Sequence, residues 1–274
     1  MASDNKKDGE SNPAQAKRPR VIGILSGKGG VGKSVTSVNL SALLTQMGKT
    51  NVLVDGDLSN PSVGLHLGLS YNSIGLSDCL SRKHNVADAI VIQPQTGMRI
   101  LPASLKYNKG AALKGMNYVI DQLKAYDFII IDSPPGLTQD AWYIMSVCSD
   151  IILITTPDIP SVTSAAKTMS LCKKAGATPI GVVINRITKG SYELTSREIS
   201  SMIEAPVIAE IPEDYAVPAS IAARTPLVLY RRDSPASKRF ALLARRIAGD
   251  EPVEVGAAGF IGRIIRAIRS LLHV

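Results

Sequence analysis

The sequence predicts an α/β protein built on a single doubly wound, mostly parallel sheet, and three observations support that prediction. From Val21 onward, short runs of Ile, Val and Leu alternate with helical patterns. These runs lack the apolar–polar alternation of half-exposed strands, which is typical of parallel strands covered on both faces. A glycine-rich segment follows the first run, as in folds that bind phosphate. We expect one α/β domain over residues 20–248, a disordered tail over 1–19, a linker over 249–258 and an amphipathic helix over 259–274.

The predicted elements alternate along the domain. Strands are expected near residues 21–26, 51–55, 98–102, 127–132, 150–156, 179–185 and 206–210. Helices are expected near residues 33–47, 111–124, 138–148, 161–175, 191–203, 213–223 and 235–248. Gly48 and Gly176 follow two of these helices, where a left-handed residue commonly ends a helix. Residues 1–19 are polar and rich in charge, Gly and Pro, so we expect them to be disordered.

Composition and charge narrow the function classes. The 274 residues are 45% hydrophobic and 4% aromatic, which predicts an aliphatic core. The net charge of +8 includes contributions from both tails and permits anionic partners without requiring one. The polar N-terminus lacks a signal core, and no apolar run approaches the roughly 20 residues that span a bilayer. Three cysteines without C-x-x-C indicate buried thiols in a reducing cytoplasm rather than a zinc or iron–sulfur site.

The glycine-rich segment fits the phosphate-binding P-loop, G-x-x-x-x-G-K-[ST]. Lys33 would reach the outer phosphates and the Ser34 hydroxyl would ligate Mg²⁺, so ATP or ADP with Mg²⁺ are the predicted cofactors. The predicted nucleotide-binding residues of the loop are Gly27, Lys28, Gly29, Gly30, Val31, Gly32, Lys33, Ser34 and Val35. The same glycines fit G-x-G-x-x-G, with Asp55 as a ribose-binding acid, but a dinucleotide site needs no Gly-Lys-Ser ending.

Acidic residues follow two of the predicted strands. Asp55 and Asp57 end one strand, and Asp132 ends another, before Ser133-Pro134-Pro135-Gly136. In a doubly wound fold the carboxyl ends of the strands face the ligand, so Asp57 and Asp132 are predicted to join Ser34 at the metal. Each aspartate taken alone is explained as well by a strand-end turn; the P-loop favours the functional interpretation.

Lys28 makes the assignment more specific. The run Lys28-Gly29-Gly30-Val31-Gly32-Lys33-Ser34 resembles the deviant Walker A motif of the MinD/ParA ATPase family, and the resemblance extends over residues 20–248. It implies a homodimer that forms when ATP binds. In this dimer Lys28 reaches the nucleotide of the second subunit, whereas Lys33 contacts the nucleotide bound to its own subunit. The catalytic residues that it implies are Lys28, Lys33, Asp57 and Asp132, with Asp57 orienting the attacking water.

The resemblance also implies a base-binding site. Asn185 and Arg186 end a strand similar to the family's adenine-contacting strand, and Pro212 and Glu213 match the segment that lines adenine. These motifs are nearest to the MinD branch, particularly its archaeal members. Ser62 departs from that branch, which usually has asparagine there, and Asn60-Pro61-Ser62 resembles the Mrp-type iron–sulfur carriers instead.

The last segment is predicted to be a helix with separate apolar and basic faces. The apolar face carries Phe260, Ile261, Ile264, Ile265, Ile268, Leu271 and Leu272, and the polar face carries Arg263, Arg266 and Arg269. At roughly 22 Å the helix is too short to span a bilayer, but it has the composition of an in-plane anchor on anionic lipid. MinD proteins also end in such a helix. Docking on the protein's own core or on a dimer partner is the alternative.

These observations predict an ATPase switch that hydrolyses ATP to ADP and phosphate. Its ATP dimer would bind the membrane reversibly through two weak anchors, to position cell-division or other machinery with an unknown activating protein. We expect a cytoplasmic protein, peripheral on the inner face of the cell membrane. The alternative is a ParA-type ATPase that binds DNA through the basic residues 231–246. An iron–sulfur carrier is disfavoured by the missing C-x-x-C, and His66 is expected to be a loop or packing residue.

Overall fold

The computed structural model describes residues 18–69, 74–104 and 113–250, and within them it shows one sheet with helices on both faces. The strands are β1 (Arg20–Ser26), β2 (Asn51–Asp55), β3 (Val91–Ile92), β4 (Arg99–Leu101), β5 (Phe128–Asp132), β6 (Asp150–Thr155), β7 (Thr178–Ile187) and β8 (Val207–Pro212). The helices are α1 (Lys33–Gln46), α2 (Val63–Leu67), α3 (Leu76–Leu80), α4 (Val86–Ala89), α5 (Met116–Gln122), α6 (Gln139–Val147), α7 (Ile159–Lys174), α8 (Ser196–Ile203), α9 (Ala216–Ala222), α10 (Leu227–Tyr230) and α11 (Pro235–Ala248).

The strand order across the sheet is β3-β4-β2-β5-β1-β6-β7-β8. β3 runs antiparallel to β4, and the other neighbouring pairs of the described sheet are parallel. In the register of β2 and β5, Asp55 lies opposite Asp132. The two carboxylates therefore meet at the same edge of the sheet, as expected when parallel strands end together. The predicted doubly wound, mostly parallel sheet is confirmed.

Two apolar cores cover the two faces of the sheet. Successive residues of β5 alternate between them, since side chains point to opposite faces along a strand. Ile129 and Ile131 join the core beneath α3 to α8, whereas Ile130 joins the core beneath α1, α2 and α9 to α11. Burial on both faces explains why these strands read as continuous apolar runs.

Most predicted elements are present with boundaries shifted by a few residues. The left-handed glycines Gly48 (φ +73°) and Gly176 (φ +76°) confirm two predicted helix ends. The segment predicted as helix 191–203 becomes helical only at α8, because Thr195 caps that helix and Glu198 closes a capping box. The helix predicted over 111–124 is a 3-10 turn at Leu113–Gly115 followed by the short α5, and residues 111–112 lie outside the described ranges.

Four short helices and one strand were not predicted. α2, α3, α4 and α10 have four or five residues each, and β3 has two. An element of this length completes barely one turn or one alternation, so it leaves no periodic signal in the sequence. One of them, α2, contributes to the site described below.

The end of α11 lies beside the beginning of β1. Gly249 caps the helix with φ +84°, and Arg20 Nη1 donates a hydrogen bond to the Ile247 carbonyl at 2.7 Å. α11 therefore ends at the amino edge of the sheet, opposite the edge that carries Asp55 and Asp132. The predicted tail (apart from residues 18 and 19), the linker beyond residue 250 and the helix 259–274 lie outside the described residues. Within the described ranges, no helix is both long and apolar enough to cross a membrane.

Candidate nucleotide-binding site

The glycine-rich loop connects β1 to α1 and is closed by contacts that leave no space for side chains. A Cβ on Gly27 would lie 2.3 Å from the backbone carbon of Ser164. Gly32 has φ +95°, and a Cβ there would lie 2.0 Å from Nδ2 of Asn185. That same amide donates a hydrogen bond to the Val31 carbonyl at 2.8 Å. The end of β7 thus holds the loop in place, and the backbone N–H groups at the start of α1 remain available to an anion.

Asp132 stands at the centre of the polar contacts behind the loop. Its Oδ1 lies 3.2 Å from Lys33 Nζ and accepts a hydrogen bond from Ser37 Oγ at 2.9 Å, while its Oδ2 accepts one from Ser34 Oγ at 2.5 Å. Its side chain is fully buried. Ser37 was not among the predicted site residues, although a hydroxyl one helical turn after Lys33 lies on the same side of α1.

Asp55 and Asp57 approach the same place from the end of β2. Oδ2 of Asp55 accepts a hydrogen bond from the Val63 backbone N–H at 3.1 Å, which ties the segment after β2 to the sheet. Burial and the negative charge of Asp132 raise the pKa of Asp55 to about 8. Burial is also the main reason why the pKa of Asp57 is raised, although a hydrogen bond from the Asn60 N–H and the charge of Lys33 oppose it.

The carboxylates and the hydroxyl of Ser34 fit a magnesium ion. Carboxylate and hydroxyl oxygens are the donors that Mg²⁺ takes in proteins. Burial is the main cause of the raised pKa of Asp55, and the charges of Asp132 and Asp57 add to it, so a divalent cation among the three carboxylates would relieve their repulsion. Among the described residues no group of three or more His, Cys, Asp or Glu side chains could hold a metal by itself, at this site or elsewhere, so the ion would also need Ser34 and oxygens of the nucleotide phosphates.

The segment after Asp57 brings two further side chains to the loop. Ser62 Oγ lies 2.8 Å from Ser34 Oγ, so the position that departs from the MinD pattern touches the predicted magnesium-binding hydroxyl. His66, expected to be a loop or packing residue, lines the phosphate cleft instead. This cleft has a volume of about 290 Å³, and its lining includes Ser26, Gly29, Gly30, Gly32, Lys33, Ser34, Val35, Asp57, His66 and Pro135.

A second cleft, of about 260 Å³, continues from the loop toward β8. The four predicted base-binding residues, Asn185, Arg186, Pro212 and Glu213, all line it. Arg186 Nε pairs with Glu213 Oε2 at 2.7 Å across its mouth. Its remaining lining is Gly30, Gly32, Val35, Asp214, Val217, Pro218, Ile221 and Phe240. The apolar residues of α9 were not predicted, although they closely follow Pro212 and Glu213 in the sequence.

Lys28 does not line the phosphate cleft of its own chain. It is exposed and borders a larger cleft of about 560 Å³, whose lining includes Thr156, Pro157, Asp158, Ser161, Arg186, Thr188, Tyr192, Glu193 and Glu213. In the part of the chain that the structure describes, its ammonium group makes no hydrogen bond or ion pair, although its charge adds to the hydrogen bonds from Thr156 and Ser161 that lower the pKa of Asp158. Lys33, by contrast, is buried and paired with Asp132.

The structure therefore brings the predicted loop, metal and base residues together at the carboxyl edge of the sheet. The predicted membrane residues, Phe260, Ile261, Arg263, Ile264, Ile265, Arg266, Ile268, Arg269, Leu271 and Leu272, lie outside the described residues. The basic segment 231–246 is described, and Lys238 and Arg239 are exposed on α11.

Comparison with known proteins supports a nucleotide-dependent ATPase. The family model ParA, described as NUBPL iron-transfer P-loop NTPase, matches residues 17–248. An uncharacterized ATP-binding protein of Methanocaldococcus jannaschii is 33% identical over 258 residues, which cover 91% of this chain and 98% of that protein. The septum site-determining protein MinD of Synechocystis is 30% identical over 240 residues, covering 85% of this chain and 90% of that protein.

A solved structure agrees with both relatives. The septum site-determining protein MinD of Pyrococcus horikoshii, complexed with Mg-ADP, superposes with a TM-score of 0.79 at 33% identity, covering 84% of this chain and 96% of that chain. The chain therefore belongs to the ParA family of P-loop NTPases, as an ATP-hydrolysing protein similar to MinD that uses ATP or ADP with Mg²⁺.

Proposed function

We propose that this protein is a switch operated by its nucleotide. With ATP bound it dimerises and associates reversibly with an anionic membrane surface, and hydrolysis to ADP and phosphate releases it. Such a cycle would position cell-division or other cellular machinery, with an activating protein that triggers hydrolysis. In this proposal residues 20–248 are the ATPase domain, 249–258 are a linker and 259–274 are the membrane helix.

The position of Lys28 is the single observation that supports dimerisation best. A lysine inside the phosphate loop is exposed, makes no hydrogen bond or ion pair within the described ranges and borders a cleft outside its own phosphate cleft, where its charge reaches Asp158. An exposed cation next to a phosphate site can neutralise a nucleotide that a second copy presents to it. Apolar side chains that a partner would cover are exposed nearby; Ile159 is 61% exposed and Tyr192 is 74% exposed.

The other site residues take the roles that the resemblance to the MinD/ParA family implies, and their positions at the carboxyl edge of the sheet are compatible with those roles. Lys33 neutralises the outer phosphates from within the same chain, and Asp57 orients the attacking water. Bound Mg²⁺, held by Ser34, Asp57 and Asp132, supplies further positive charge to the phosphates. The backbone of residues 27–35 cradles the phosphates, and Asn185, Arg186, Pro212 and Glu213 bind the adenine.

Phosphoryl transfer needs positioning and charge neutralisation more than covalent chemistry. A monomer lacks the partner's Lys28, so it should bind ATP but hydrolyse it slowly. We expect the rate per chain to rise with protein concentration, and Lys28→Ala to remove that rise while ATP binding persists. The matched control is Lys124→Ala, an exposed lysine that follows α5 and does not line the Lys28 cleft. A rate per chain that stays constant from dilute protein upward would refute activation by a second copy.

Membrane attachment is tested by sedimentation with anionic liposomes. We expect the full chain to pellet with ATP and much less with ADP, since two weak helices on one dimer bind by avidity. A chain without residues 259–274 should stay in the supernatant in both states. Ile264→Asp with Ile268→Asp should behave like the deletion at full length, whereas equal pelleting in ATP and ADP would contradict the proposal.

One observation supports a DNA-binding alternative. α11 exposes Lys238 and Arg239, which can contact DNA phosphates. Salt-sensitive DNA retention by a chain without residues 259–274 would favour this ParA-type function, and loss of retention in Lys238→Ala with Arg239→Ala would locate it. An iron–sulfur carrier has less support, because Cys79, Cys148 and Cys172 are all buried free thiols.

A further inference from the structure

The short helix α2 has three distinct sides. Val63 and Leu67, one turn apart, are buried in the core. Leu65 is 57% exposed. Ser62 and His66 are also one turn apart, and residues at i and i+4 share one side of a helix. Because Ser62 touches Ser34, that third side faces the phosphate cleft.

α2 is held in this orientation from several directions. The Asp55 carboxylate accepts a hydrogen bond from the Val63 N–H at 3.1 Å, and the His66 N–H donates to the Ser62 carbonyl at 3.1 Å. The contact between Ser62 and Ser34 joins the beginning of α2 to the beginning of α1. The His66 side chain is therefore placed by the sheet and the phosphate loop together.

The His66 imidazole enters the cleft without a partner. It is half-buried and lines the cleft with Lys33, Asp57 and Pro135. Within the described ranges its ring makes no hydrogen bond. Burial lowers the pKa of His66, helped by the charge of Lys33 and opposed by Asp132. A neutral imidazole carries one N–H donor. In the open cleft that donor faces water, because the buried side-chain polar atom left without a partner in the described residues is Arg246 Nε and not a ring nitrogen of His66. A ligand oxygen that enters the cleft can replace this water and accept the hydrogen bond.

We infer that His66 contacts the terminal phosphate of ATP, donating a hydrogen bond from its ring N–H to a γ-phosphate oxygen. The inference rests on the proposed ATP site. The loop backbone and Lys33 surround the phosphates from the side of α1, whereas His66 reaches the cleft from the segment after β2, beside Pro135 from the segment after β5. ADP has no γ-phosphate, so with ADP bound the His66 ring N–H has no phosphate oxygen to which it can donate. His66 is therefore a residue that distinguishes ATP from ADP and couples α2 to the presence of the γ-phosphate.

The test compares the affinities of His66 variants for ADP and for an ATP analogue with an imido bridge, both with Mg²⁺. His66→Leu keeps a bulky side chain and removes the donor. We expect its Kd for the analogue to rise about tenfold, the usual scale for a hydrogen bond to a charged group, with the Kd for ADP changed less than about twofold. His66→Gln, which keeps an N–H donor, should lose less affinity for the ATP analogue than His66→Leu. His84→Leu and His84→Gln are matched controls, because His84 is exposed and does not line the cleft.

A second measurement does not depend on the leucine variant folding. The chain has three histidines, so the ring nitrogens of the wild-type protein can be followed by NMR. We expect one imidazole signal, absent in His66→Gln, to shift with the ATP analogue and not with ADP. Equal shifts of the imidazole signal with both nucleotides would overturn the inference. Equal weakening of the binding of the ATP analogue and of ADP in the His66 variants would overturn it as well. Wild-type protein that binds ATP but shows no dependence of turnover on concentration would refute the proposed dimer and leave the role of His66 standing.

Discussion

Replacing Gly32 by alanine tests how the fold holds the phosphate loop. Gly30 and Gly32 both have left-handed backbones, with φ +79° and +95°. A Cβ on Gly30 would meet nothing within 4 Å, whereas a Cβ on Gly32 would lie 2.0 Å from the Asn185 amide nitrogen. Gly30→Ala is therefore a matched control that carries the backbone strain without the collision.

The structure sets the size of the expected difference. Placing alanine in a left-handed conformation costs about 1–2 kcal/mol at either position. At Gly32 the added methyl also displaces the Asn185 amide and breaks its hydrogen bond to the Val31 carbonyl, which costs about 0.5–1.5 kcal/mol more. We expect Gly32→Ala to destabilise the protein by about 1.5–3.5 kcal/mol and Gly30→Ala by about 1–2 kcal/mol.

Urea unfolding of the nucleotide-free protein measures these differences. Asn185→Ala alone should cost about 1 kcal/mol. In the Asn185→Ala background the Cβ of residue 32 no longer meets the Asn185 amide. Gly32→Ala should then lower the free energy of unfolding by no more than Gly30→Ala does. If Gly32→Ala costs the same with and without Asn185, the loop is not held by this contact and the reasoning fails.

Three further predictions concern the charges of the site. Because burial and Asp132 raise the pKa of Asp55 to about 8, the folded protein keeps a proton there that the unfolded chain loses above about pH 4. The free energy of unfolding of the metal-free protein should therefore fall as the pH rises from about 4 to about 8, and Asp55→Asn should flatten that slope in urea titrations at several pH values. Asp132→Asn removes the charge paired with Lys33, so Mg²⁺ should no longer strengthen ATP binding measured by calorimetry; unchanged enhancement by Mg²⁺ would count against its role. Glu213→Ala breaks an exposed ion pair with Arg186 and should change the free energy of unfolding by less than about 1 kcal/mol, with a larger loss implying a structural role for the pair.

The central part of the site was predictable because its signals are local. A phosphate loop needs glycine where backbone approaches backbone, and Gly27 and Gly32 are the positions where a Cβ would collide. Asp55 and Asp132 each end an apolar run, and parallel strands that end together carry them to one edge. The chemistry of this edge therefore follows from the order of residues along the chain.

The residues that were missed lack such a local signal. α2 is five residues long, too short for a helical period to appear, so nothing in the sequence places His66 one turn after Ser62 and on the same side. The apolar wall contributed by α9 is equally invisible, since apolar residues in a short helix are as consistent with a core as with a cleft. Ser37 is an exception in part: its spacing from Lys33 indicates that both lie on one side of α1, although only the structure shows that this side faces Asp132.

The sequence by itself determined the parallel sheet, the phosphate loop and the acids that follow its strands, because burial on both faces and close backbone approach each require particular residue types at particular spacings. Only the tertiary structure decided which way the side chains face. It placed Lys33 on Asp132 and left Lys28 exposed on a separate cleft, although the two lysines lie five residues apart in one motif. That difference depends on the path of the loop between β1 and α1 and on the strands packed against it, which contacts distant in the sequence create.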